Sequence, residues 1–252
     1  MSSSADLFEY LVRLGDDRLV LGHRLSEWCG HAPILEEDIA LANIALDLVG
    51  EATLLLTVAA KAEHAGRDAD ALAYLRDAID YRNVLLVELP NGDFAVTIAR
   101  QFLFSAFAVL QAEGLQRSSH GDVAGIAAKM LKEARYHLRH SGEWMLKLGG
   151  GTDESHSRLQ AAVDDLWRYT GELFITDEVE QRLVQAKIAV DASSLESPWR
   201  EQVMDILSRS GMSVPEVKWM QRGGRAGRHT EHLGLMLAEM QVLQRQHPGA
   251  AW

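Results

Sequence analysis

An all-α fold is predicted by three observations. Apolar residues recur at helical spacing along almost the whole chain, no sustained period-two alternation marks a sheet, and only five prolines interrupt 252 residues. The spacing predicts helices over 6–28, 35–64, 68–88, 93–116, 121–149, 155–175, 195–209 and 229–246.

The first helix ends before GHAP, 30–33, and Glu36 and Glu37 then suit the positive first turn of the second. That second helix holds the most hydrophobic run, IALANIALDLVGEATLLLTVAA, 39–60, which is long enough to span a membrane. Asn43, Asp47 and Glu51 recur along it every fourth residue, a polar stripe too costly in lipid. The expectation is a helix buried on most sides whose remaining stripe faces something polar. The 68–88 helix supplies a crossing connection, and ELPNGD, 88–93, is a turn with Asp93 as N-cap of the next helix. GGGTD, 149–153, ends the 121–149 helix and prepares another. Residues 176–228, with VDASSLESP and RGGRAG, read as looser.

Four helices (6–28, 35–64, 93–116 and 121–149) are long enough to form a bundle. No Ser- or Pro-rich linker divides the chain. The expectation is one domain, 1–252, with a bundle core at 6–149 and wrapping helices at 155–252.

With 47% hydrophobic and 24% charged residues, the composition is that of an ordinary globular protein. A net charge of −11 argues against general nucleic-acid binding, which needs a basic face. Cys29 is the single cysteine, which rules out an internal disulfide and fits a reducing cytoplasm. The N-terminal stretch shows no basic region followed by an apolar one, so no signal peptide is expected.

The chemistry-bearing stretch is LKEARYHLRHSGEW, 131–144, which sets Glu133, His137 and His140 on one helix stripe with Trp144. A carboxylate and imidazoles facing a bundle interior are the raw material of a di-metal carboxylate site. Such a site takes one Glu from each of two helices and Glu-x-x-His from each of the other two, because i and i+3 share a face. Three residues before His137 stands Ala134, not Glu. No acid lies between Asp93 and Glu113, nor between Asp17 and Glu27, so two more helices offer no central carboxylate.

LGDDRLVLGHRLSEWCGHAP, ALANIALDLVG, VELPNGDFAVTIARQ, KEARYHLRHSGEW, LWRYTGELF and HTEHLGLMLAEMQVLQR together resemble the family of C subunits of the bacterial phenylacetyl-CoA epoxidase, the phenylacetic acid degradation oxygenase. The similarity runs from about residue 10 to Trp252. It implies a ferritin-like four-helix bundle with peripheral helices. It further implies a noncatalytic structural subunit, whose homologous catalytic partner carries the di-iron centre. The implied reaction is aerobic 1,2-epoxidation of the phenylacetyl-CoA ring, with electrons from a separate reductase holding FAD and an iron–sulfur cluster and using NADPH. The resemblance also places the second Glu-x-x-His of a working site at Leu48 and Glu51. Leu48, Glu51, Ala134 and His137 are thus the positions of a vestigial site, with no catalytic or metal-binding residue expected in this chain. In place of metal, a polar network is expected to join Glu51 to His137, Arg18 or Arg100.

RGGRAGRHTEHLG, 222–234, is a second concentration of unusual residues. Arg222, Arg225 and Arg228 among glycines before a helix start could meet the phosphates of a coenzyme A thioester or a partner. The reading preferred is a surface loop whose arginines meet acidic groups of this chain or its partner. His229, Glu231 and His232 offer metal-like spacing without a clear third ligand, and contact with another subunit is expected there. Cys29 beside His31 lacks an orienting third group and reads as structural.

Three functions fit these residues. They are a noncatalytic subunit of the epoxidase complex, a di-metal carboxylate oxygenase or oxidase in its own right using Glu51, Glu133 and His137, and a self-dimerising ferritin-like binding protein. The first is preferred. The partners it implies are the catalytic oxygenase subunit, other subunits of the complex and, through them, phenylacetyl-CoA, with neither nucleic acid nor membrane.

Overall fold

The computed structural model describes residues 4–250; the first three and the last two residues, among them Trp252 where the resemblance ends, lie outside the described residues. Among the described residues every regular element is helical, so the all-α expectation holds. The α-helices are α1 (Ser4–Ser26), α2 (Leu35–Glu63), α3 (Ala69–Tyr74), α4 (Leu85–Glu88), α5 (Phe94–Leu115), α6 (Gly121–Gly149), α7 (Asp153–Trp167), α8 (Glu178–Gln185), α9 (Glu196–Arg209) and α10 (Glu231–Gln246). An all-α chain built on long helices agrees with a ferritin-like helical bundle. The helices gather into two compact units.

The first unit comprises the chain up to His31, Leu35–Pro90 and the segment from Gly223 onward. Its backbone is the α1–α2 pair. The pair runs antiparallel: Arg18 meets Glu51, and Gly22 lies against Val49 and Ala45. A Cβ at Gly22 would stand 3.0 Å from the Val49 side chain and 3.2 Å from the Ala45 carbonyl oxygen, so glycine sets how closely the two helices approach. The core between them includes Leu11, Leu14, Leu21, Leu25, Ile44, Leu48, Leu55 and Leu56, all buried.

Two expectations about this unit need correction. Residues 68–88 do not form one helix: α3 is followed by a 3₁₀ turn at Ala78–Asp80, extended backbone at Tyr81 and Val84, and then α4. The reason is tertiary. The N–H groups of Arg82 and Val84 donate to the Asp16 and Asp17 carboxylates on α1, at 2.8 Å each, rather than to a helical ladder. Nor is α2 buried on most sides with a polar stripe outward. Glu51 is buried, Asp47 half-buried and Asn43 exposed, while Leu35, Ile39, Leu46 and Leu54 face outward. Polar residues four apart drift around the helix by about 40° per step, so the sequence stripe spirals from solvent into the interior.

The second unit holds Asn91–Arg222 with Ala32–Ile34 and is built on α5 packed against α6, α7 and α9. Asp93 caps α5 through Val96 N–H at 3.0 Å, as the turn signal predicted. Thr152 and Ser155 form a reciprocal capping box that starts α7 two residues earlier than expected. The predicted helix over 155–175 stops at Trp167 and continues as a 3₁₀ segment, Thr170–Phe174, and the looser region contains α8. An aromatic cluster closes this unit. Trp199 lies 5.1 Å from Phe174 and 5.6 Å from Trp167 between ring centroids, and its Nε1–H donates to the Leu103 carbonyl at 3.0 Å.

Candidate functional site

Glu51 is buried in the first unit, where its Oε2 accepts from Arg18 Nε–H at 2.8 Å. Arg18, one turn along α1 from Leu14, also donates from Nη1 to the Leu14 carbonyl at 3.0 Å. Of the partners expected for Glu51, Arg18 is thus one that the fold supplies. Leu48, one helical turn before Glu51, is buried among apolar neighbours of the α1–α2 pair.

In the second unit, Ala134 and His137 are both buried on α6, and the His137 carbonyl accepts from Ser141 Oγ–H at 2.7 Å. Arg100 is buried on α5 and donates from Nη2 to Asn91 Oδ1. Tyr136 stacks on His140 with ring centroids 6.2 Å apart, and Glu133 pairs with Lys129 at 3.3 Å. Among the described residues no group of three or more His, Cys, Asp or Glu side chains is disposed to hold a metal ion. The donor set does not suit a di-iron centre. A carboxylate already neutralised by a guanidinium is a poor ligand for a doubly charged cation, which the same guanidinium would repel.

The densest buried polar chemistry lies elsewhere in the first unit, where residues 76–88 and 223–232 are tied to α1. Arg76 grips Asp16 with both terminal nitrogens, Nη1 to Oδ2 at 2.9 Å and Nη2 to Oδ1, and lies 4.3 Å over the Tyr81 ring. Arg225 grips Asp17 in the same forked way, at 3.0 and 2.7 Å, and Nη1 also donates to the Arg13 and Arg82 carbonyls at 3.1 and 2.7 Å. Burial pushes the Asp16 carboxyl upward against the pull of Arg76. With two guanidinium N–H groups and a backbone N–H directed at it, the bound species is the carboxylate.

A second knot surrounds Glu88. Its Oε2 accepts from Asn83 Nδ2–H at 2.8 Å and from His229 Nδ1 at 2.7 Å, and its Oε1 accepts from the Thr230 N–H at 2.6 Å. The other His229 nitrogen, Nε2, lies 3.0 Å from the Tyr81 carbonyl. With an acceptor at each ring nitrogen, His229 is held as imidazolium: burial works to lower its pKa, but Glu88 outweighs that and the net shift is upward. Arg24 donates to the Glu88 and His232 carbonyls at 2.9 to 3.0 Å, fastening the start of α10. Gly224 permits the loop to close, since a Cβ there would fall 2.0 Å from the Asn83 carbonyl oxygen.

The glycine–arginine segment therefore divides. Arg225 and His229 are taken up by Asp17 and Glu88, whereas Arg222, Arg228 and Glu231 are exposed. His232 is partly exposed, with Nε2 4.0 Å from Glu231. Cys29 is a free, exposed thiol. Sequence reasoning missed Asp16, Arg76 and Glu88. The signal available was the Asp16–Asp17 pair inside the apolar helix LVRLGDDRLVLG, two charges that need partners wherever that helix packs.

This chemistry binds protein to protein. Each of these buried carboxylates is met by donors from the chain itself.

Comparison with known proteins gives two matches of nearly full length. The chain is 50% identical over 246 residues to the C subunit of the 1,2-phenylacetyl-CoA epoxidase of Escherichia coli strain K12, covering 98% of this chain and 99% of that protein. The family model described as phenylacetic acid catabolic protein matches residues 1–252. The chain belongs to the phenylacetic acid catabolic protein family.

Proposed function

We propose that this chain is a noncatalytic, structural subunit of a phenylacetyl-CoA 1,2-epoxidase complex in aerobic phenylacetate catabolism. In that role it supports a homologous subunit that carries the di-iron centre. The observation that carries the reading is the Arg18–Glu51 ion pair at 2.8 Å, standing where the resemblance puts a metal ligand. Leu48 and Ala134, at two further ligand positions, are buried and have no donor atom. A chain with those substitutions has the helices of an oxygenase subunit but not the anionic oxygens that iron requires. The relative's name supports the substrate, the resemblance supports the reductase with its FAD, iron–sulfur cluster and NADPH, and the single cysteine supports a cytoplasmic location.

The test is co-expression with the other oxygenase subunits from the same organism, followed by pull-down and metal analysis. The expected result is one stable complex, with iron absent from this chain purified alone and epoxidation dependent on its presence. Near-stoichiometric iron in the isolated chain, or full activity without it, overturns the reading.

A further inference from the structure

We propose that the outward face of α2 is the surface that docks the homologous oxygenase subunit; this rests on the subunit role proposed above. Leu35, Ile39, Leu46 and Leu54 are 71, 53, 70 and 38% exposed. At about 100° per residue the first three fall on one narrow stripe, with Leu54 beside it. The polar members of the stripe make few demands on water: Thr53 and Thr57 donate their hydroxyls to the Val49 and Thr53 carbonyls one turn back, at 2.9 and 2.7 Å. No lysine or arginine occurs between Leu35 and Ala60. An uncharged, apolar centre is the composition of a permanent interface core. From those exposures the four side chains leave on the order of 400 Å² of apolar surface, the size of patch that often marks an interaction site and about half of one partner's share of a standard interface.

The other exposed apolar helix face, Leu235, Val242 and Leu243 on α10, is interleaved with Glu239 and Arg245 and is the weaker candidate. Lipid does not fit α2, because the opposite side of the same helix carries the buried Glu51 in its ion pair with α1. A second copy of this chain fits poorly. Glu36, Asp38 and Asp47 border the stripe, so two-fold pairing about Leu46 would bring the two Asp47 carboxylates together between chains of net charge −11. The surface suits a different chain that presents an apolar helix stripe flanked by basic side chains.

The test uses the full chain expressed together with the oxygenase subunit of the same organism, with Leu46→Arg on α2 and Leu235→Arg on α10 as the comparison. Leu46→Arg is expected to lower recovery of the partner at least tenfold with helicity and melting unchanged, while Leu235→Arg recovers it within twofold. In the wild-type complex, amide exchange over residues 39–57 is expected to slow relative to the isolated chain, a readout that stands whether or not a variant folds. Undiminished recovery with Leu46→Arg, loss with Leu235→Arg alone, or no protection over 39–57 overturns the assignment and leaves the subunit role intact. Protection of 39–57 in a homodimer, with the heteromeric complex insensitive to Leu46→Arg, assigns the face to a second copy and also overturns it. Failure of the wild-type chain to retain the partner overturns the subunit role itself.

Discussion

Removing the Glu51 carboxylate tests the site most directly. In Glu51→Ala, Arg18 keeps its bond to the Leu14 carbonyl but loses the anion 2.8 Å from Nε, and the Arg18 side chain is only 1% exposed. Breaking a buried ion pair by removing one partner costs about 3–5 kcal/mol. For a chain of this length each kcal/mol is worth about 2–4 °C, so the melting temperature should fall by roughly 6–20 °C. The double variant Arg18→Met/Glu51→Leu fills similar volume without charge and should recover most of the loss, because a buried pair gains little over well-packed apolar residues. Thermal and urea melts of the wild type, Arg18→Met, Glu51→Leu and that double variant form the cycle, with Glu51→Ala melted beside them. Additive losses in the double variant, or a Glu51→Ala loss below about 1 kcal/mol, would refute the ion-pair account. Iron content measured on these proteins should not differ, and a drop in every variant that lacks the Glu51 carboxylate would make Glu51 a ligand.

Arg225→Ala leaves Asp17 buried without its fork and should cost about 3–5 kcal/mol, with amide exchange accelerated first around Val84 and residues 223–232; unchanged exchange there refutes the clamp. The His229 contribution should depend on pH. Its folded pKa is raised above the unfolded 6.5, so its pairing with Glu88 stabilises fully below 6.5 and fades as pH rises through the folded value. The melting difference between wild type and His229→Gln should therefore shrink as pH rises from 6 to 9, and a difference that grows contradicts the imidazolium assignment. Trp199→Phe keeps the ring packing but removes the indole N–H that donates to the Leu103 carbonyl, and should cost about 0.5–1.5 kcal/mol in a urea melt.

What was legible in the sequence is what local periodicity and end signals encode. Helices α1, α2, α5, α6, α9 and α10 lie within a few residues of their expected ranges, and Asp93 caps where the turn placed it. The single helix expected over 68–88 failed because its residues are competent for helix yet are drawn off by carboxylates some 60 positions earlier in the chain. No window of local sequence contains that competition. The outward face of α2 was misjudged for a related reason. A run of apolar residues reports how much of a helix avoids water, not whether its own chain or another chain covers it. The proposed loss of the metal site is an argument by subtraction, since Ala134 three residues before His137 breaks a spacing that coordination demands.

The two kinds of buried charge in the first unit do different work, and their geometry separates them. Arg18–Glu51 joins two helices that the apolar core already aligns, so removing both charges leaves the helices with the same packing information. Asp16 and Asp17 instead join α1 to segments outside any helical ladder: the extended stretch around Tyr81 to Val84 and the glycine-rich loop at 223–227. Carboxylates accept along defined directions, and Asp17 takes one donor from Val84 and a fork from Arg225, which fixes the position of both segments at once. Apolar substitutes at Asp17 and Arg225 would leave the Val84 N–H and the Arg82 carbonyl to find new partners. Charge pairs of this second kind are therefore the ones that this fold cannot exchange for leucine, because they satisfy backbone groups that apolar side chains cannot.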